Sequence, residues 1–212
     1  MNSHDDMKSL WLQTRDRLIA KGLSAGDGAS LSVRCPGGSS MWVGAVTDAA
    51  PRLEDWRKGA TDGLTAVHAG VYACRGDVGA VAWGGGPFGA CLAEFGGALP
   101  QVFDEQARHI GPMAPAVTQY ADIGRALHKG GNALIWRGRP LCLGTTCTRM
   151  ALNAELFEKC AKAFVLAAAT GGSVETLPWL VRHIANSRLH KDERRAMAAF
   201  ACGGLPVESR GY

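Results

Sequence analysis

The sequence has no C-x-x-C pair, no apolar run of the ~18 residues a bilayer crossing needs, no block of one-signed charge and no internal repeat. Each absence removes a class of protein. The seven cysteines, at 35, 74, 91, 142, 147, 160 and 202, are scattered and odd in number. That excludes a disulfide framework and a zinc knuckle and fits reduced cytosolic thiols. A net charge of +4, with acids and bases interspersed over 159–162 and 190–195, advertises neither nucleic acid nor a membrane as partner. The opening MNSHDDMKSLW lacks the basic stretch and apolar core of a secretory leader, so a cytoplasmic location is expected. No segment rich in Ser, Gly or Pro divides the chain, and 212 residues at 47% apolar composition suit one domain over 1–212.

What is present is a regular alternation of elements. Apolar spacing predicts a helix over 9–21, ended by Gly22, and then a hairpin in which 30–35 turns at Pro36-Gly37-Gly38 into 41–43. The polar stretch 47–61 reads as irregular. Thr61 or Asp62 can cap a helix running to Cys74, followed by a buried strand over 78–82 and a helix opened by Pro87 and closed near Gly96-Gly97. Helical spacing returns at 120–129, strands are expected at 132–136 and 140–143, and the strongest helical pattern fills 147–170. Residues 177–202 read as one or two further helices, with Thr176 at the start and Pro178 in the first turn.

Several of these segments share a pattern. Leu64 to Ala82 reads LTAVHAGVYACRGDVGAVA and continues into Trp83-Gly84-Gly85-Gly86-Pro87-Phe88. Upstream stands GLSAGDGASLSVR, residues 22–34; downstream come Tyr120-Ala121-Asp122-Ile123-Gly124, Ala133 to Gly138, and Glu155-Leu156-Phe157-Glu158-Lys159-Cys160-Ala161. In order and spacing, over about 9–170, these resemble the class II aldolase/adducin family, leaving 177–203 as a helical extension. The resemblance implies an α/β fold: three α/β/α layers around a mostly antiparallel sheet, assembled as a cyclic tetramer. It also implies a zinc-type ion on three histidines and a glutamate that moves the proton at carbon.

Here those positions have changed. The glutamate falls on Leu64; the three metal ligands fall on Trp83, Gly85 and Arg137, none of which suits a cation. The phosphate-binding segments fall on Ser30, on the divergent stretch 44–48 and on Asp62-Gly63, where an aspartate opposes a phosphate. The expectation is a protein without metal or cofactor that no longer performs aldol cleavage. It would serve as a binding or assembly subunit, as a homo-oligomer or beside an active paralogue. A second reading keeps an enzyme with altered, metal-free, lyase-type chemistry on a small carboxylated or keto ligand. Its catalytic candidates are Asp104, Glu105 and His109, and its binding candidates are Arg137, Trp83, Gly84 and Gly85. A third takes Gly84-x-Gly86-x-x-Gly89 as a dinucleotide fingerprint with Asp104 downstream, although Pro87 removes an N–H that would face the pyrophosphate. His68 is expected to be a hydrogen-bonded structural residue, and Cys142 and Cys147 ordinary buried thiols.

Overall fold

A computed structural model describes residues 3–59 and 62–208. Its centre is a six-stranded sheet in the order β3-β2-β1-β4-β6-β5, built from β1 (Ser30–Arg34), β2 (Ser40–Ala45), β3 (Arg52–Asp55), β4 (Ala80–Trp83), β5 (Ala133–Trp136) and β6 (Arg139–Gly144). Every pairing is antiparallel.

Strand side chains alternate between two apolar layers, as the period of two requires. Leu31, Val33, Ala80, Ala82, Ala133 and Ile135 face one layer, packed against α1 (Ser3–Ala20), α3 (Pro87–Cys91) and α6 (Cys147–Ala169). Met41, Val43, Val81, Leu134, Trp136, Leu141 and Leu143 face the other, packed against α2 (Gly63–Cys74) and α5 (Tyr120–Leu127). The expected three layers are therefore in place. Two short elements, a 3-10 turn at Leu92–Phe95 and α4 (Asp104–His109), join α3 to α5, and α7 (Trp179–Ala201) packs on α4.

The elements begin and end for local reasons. Asp62 caps α2 by accepting from Thr65 N at 2.7 Å, and Thr146 caps α6 through Arg149 N at 3.0 Å. Thr61, the other candidate cap, lies outside the described residues. Pro87 takes the first helical position, and Gly96 closes the following turn at φ 86°. Arg137-Gly138, with φ of 48° and 76°, makes a two-residue hairpin loop with both central residues left-handed.

Three expectations are corrected. The helix expected from 9 starts at Ser3, because Asp5 and Asp6 suit a first turn and Met7 is buried. The stretch read as irregular contains β3, an edge strand whose half-exposed Arg-Leu-Glu-Asp shows no core face to betray it. The last segment is a single helix, with Pro178 just before it rather than inside and Thr176 two residues further out. Among the described residues no helix is long and apolar enough to cross a membrane.

Candidate functional site

The residues singled out at the end of β4 and in the β5–β6 turn come together, and an apolar and cationic cluster fills the space between them. The Trp83 indole donates to the Trp136 carbonyl oxygen at 3.1 Å. Tyr120, at the start of α5, packs against Trp136 with ring centroids 4.8 Å apart and planes tilted by 48°, and its hydroxyl donates to the Gly63 carbonyl at 2.8 Å. The exposed Arg137 guanidinium lies over both rings, at 5.1 and 4.9 Å, and donates to the Thr118 carbonyl. Leu64, at the position the sequence resemblance matches to a glutamate, packs against the same apolar cluster as Trp83.

Gly84 and Gly85 are held by their surroundings as well as by their backbone. At Gly85, φ 79°, a Cβ would lie 2.4–2.8 Å from the Pro140 ring; at Gly84, φ 143°, it would lie 2.9 Å from Ala29 Cβ. The Gly85 peptide is pinned between Leu23 O and Ala25 N at 3.1 and 3.0 Å. Arg139 completes the wall: its guanidinium donates to Asp27 O at 2.6 Å, lies 5.8 Å from the Trp83 ring and fills the space a side chain at Gly26 would need.

A divalent ion does not fit these residues. The three positions offer an indole N–H already donated, a glycine with no room for a side chain, and a cation. Among the described residues no three His, Cys, Asp or Glu side chains are disposed to hold a metal. The segments matched to the phosphate cradle are engaged elsewhere. Ser30 bonds His68, Asp48 accepts from Ala45 N within its own turn, and Asp62 caps α2 while pairing with Arg52. Although partial burial opposes it, bonding from Thr65 and the Arg52 charge hold the Asp62 carboxyl below its usual range.

The fingerprint reading is corrected. The Glu158 carboxylate on α6 accepts from Phe88 N and Gly89 N, both at 2.8 Å, where a pyrophosphate would have to sit. A Cβ at Gly86 would lie 2.5–2.8 Å from that carboxylate, so these glycines admit Glu158. α3 has five residues, β4 lies between antiparallel neighbours rather than in a βαβ unit, and the Asp104 carboxylate accepts from Glu105 N.

Within one chain, His109 does not join Arg137. Asp104 and Glu105 are exposed on α4. The His109 carbonyl accepts from Asn132, which precedes β5, whereas Arg137 follows it. Those five positions separate the two by roughly 16 Å at about 3.3 Å per residue. The His109 ring lies 3.2 Å from an Arg149 nitrogen, beside a space of ≈20 Å³, which holds about one water. Burial and the Arg149 and Arg108 charges push His109 down to about 4. Cys142 and Cys147 are buried and raised to about 12 by that burial, far from a reactive thiolate.

His68 is fully buried beneath Ser30 and Ser32, at 2.9 and 2.8 Å from its two nitrogens, and the Ser32 hydroxyl continues to Tyr72 at 2.9 Å. Burial pushes it down to about 3, so it is neutral in the native state. The unfolded chain takes up the proton first as pH falls below about 6.5, so native stability is lost there and the loss levels off near pH 3. At pH 5 the expected loss from His68 is about 2 kcal/mol relative to pH 7. It is checked by urea unfolding of the protein and of His68→Asn at both pH values. Equal pH dependence in the two would refute it.

Sequence reasoning missed the aromatic partner Tyr120, the Glu158 cap and a buried ion cluster of Arg75, Asp77 and Glu193. Only Arg75-x-Asp77 carried a local signal, two opposite charges within a turn.

No family model and no curated relative matches the sequence. The fold is that of the class II aldolases. An L-fuculose 1-phosphate aldolase superposes with a TM-score of 0.74 at 19% identity, over 87% of this chain and 96% of that one. An L-fuculose 1-phosphate aldolase from Glaciozyma antarctica gives 0.71 at 16% over 92% and 88%. YgbL from Klebsiella pneumoniae, described as a putative aldolase/epimerase/decarboxylase, gives 0.71 at 13% over 87% and 100%.

Proposed function

We propose that this chain is a class II aldolase-fold protein that no longer carries out metal-dependent aldol cleavage and acts as a binding or assembly subunit. It would work in a homo-oligomer or beside an active paralogue. The observation that supports this most is the occupation of the site by the protein itself. Trp83 and Leu64 pack in one apolar cluster, Gly85 is closed by Pro140, and Arg137 is stacked on Tyr120 and Trp136. Each change by itself leaves a repairable enzyme, whereas together they remove base, ligands and space. A small carboxylated ligand would meet the exposed Arg137 first, through the donor edge that stacking leaves free.

Elemental analysis of the purified protein tests the reading, with transition metal expected well below one per chain. A stoichiometric metal whose removal by chelation abolishes an aldol cleavage activity would overturn it.

A further inference from the structure

Beyond α7 the chain doubles back across the N-terminal end of α6. Gly203 takes a left-handed turn, Gly204 N bonds Ala199 O at 2.9 Å, and residues 205–208 run on to Glu208. This segment has little apolar hold, since Val207 is 93% and Leu205 47% exposed. A carboxylate anchors it. Glu208 accepts a hydrogen bond from the hydroxyl of Thr146, the cap of α6, and lies 2.9 Å from an Arg149 terminal nitrogen. Arg149 is itself nearly buried, its side chain 12% exposed.

Three features suit this seat to an anion rather than to Glu208 alone. It lies at the positive end of a 23-residue helix. Arg149 pairs with Glu208, and Asp192, which pairs with Arg108 and Arg195, shares one cavity wall with Glu208 and another with Arg149. Asp192 already serves Arg108 and Arg195, and Glu193 serves Arg75, so departure of Glu208 removes the carboxylate that pairs with Arg149. The segment is also flanked by space on both sides. Cavities of ≈360 and ≈140 Å³ each include Thr145, Leu205 and Pro206 in their walls, and the larger reaches Asp192 and Arg195.

We propose that the seat of Glu208 is an oxyanion-binding site held shut in cis, with residues 204–208 as a strap that an external phosphate or carboxylate displaces. The tethered carboxylate competes at an effective concentration in the millimolar range. A phosphate carries more charge than the single carboxylate and has three acceptor oxygens against its two, so at sufficient concentration it displaces it. The site lies beside the Gly144 end of β6, away from the Trp83–Arg137 cluster at the other end of the sheet.

The test uses inorganic phosphate and, separately, succinate, each titrated at constant ionic strength against chloride. Amide exchange in a peptide covering 203–208 is expected to rise with the anion, while exchange in the middle of α7 stays unchanged. Glu208→Gln is expected to bind phosphate about ten-fold more tightly than the unaltered chain by calorimetry, because the internal competitor is gone. Arg149→Lys is expected to lose that gain. A response to phosphate alone identifies a phosphorylated ligand, and a response to both anions a carboxylate-tolerant site. The proposal is overturned if the strap ignores both anions, or if Glu208→Gln and the unaltered chain bind phosphate equally. The comparison through Glu208 stands even where Arg149→Lys fails to fold.

Discussion

Arg75→Met is expected to lower the unfolding free energy by about 3–5 kcal/mol, measured by urea denaturation at pH 7. Arg75 ends α2 with its side chain 7% exposed and grips Asp77 with two nitrogens, at 2.8 and 2.7 Å. It also donates to the Gly131 carbonyl at 2.8 Å, to the Asn132 side-chain oxygen at 3.1 Å and to Glu193 on α7 at 3.0 Å. One guanidinium thus ties α2, the entrance to β5 and α7 together. Removing it leaves two carboxylates with side chains 3% and 9% exposed, and that uncompensated charge dominates the loss. Burial already raises the Glu193 carboxyl above its usual range against the pull of Arg75. Adding Asp77→Asn and Glu193→Gln to Arg75→Met is therefore expected to recover a large part of the stability. If the triple variant is no better than the single one, the lost hydrogen bonds rather than the stranded charges set the cost.

Placing histidines at Trp83, Gly85 and Arg137, the positions matched to the family's metal ligands, is expected to produce an unstable protein and no metal site. Gly85→His alone should cost about 3 kcal/mol or more, combining a left-handed backbone with a Cβ at 2.4–2.8 Å from Pro140. Trp83→His with Arg137→His removes the indole that bonds Trp136 and one layer of the ring stack, without opening room at Gly85. Calorimetry with zinc on the triple variant should therefore show no stoichiometric binding. Adding Pro140→Ala should recover part of the Gly85→His loss. Tight zinc binding by the triple variant with Pro140 intact would show that the site had kept its shape.

The order of helices and strands was legible because it rests on local signals. Apolar spacing marked α6, proline and glycine marked both ends of the α3 region, and Asp62 marked the start of α2. β3 was illegible, since an edge strand of four partly exposed residues buries too little to impose a pattern. The absence of ligands at Leu64, Trp83, Gly85 and Arg137 could also be read, because side-chain chemistry at a position belongs to the residue itself.

What packs around those four positions could not be read, because it depends on residues far apart in the chain. Pro140 closes on Gly85, Glu158 enters the space above Gly86, and Tyr120 stacks beneath Arg137 only after the sheet aligns β4, β6 and β5. His109 and Arg137, which seemed able to share a pocket, are held apart by the length of one strand. The sequence by itself determined the layers, the caps and the absence of metal-ligating side chains at Trp83, Gly85 and Arg137, all carried by periodicity and residue type. Only the tertiary structure decided that Trp83, Pro140 and Glu158 fill the space around Gly84, Gly85 and Gly86, since volume and hydrogen-bond partners are settled by contacts between distant segments.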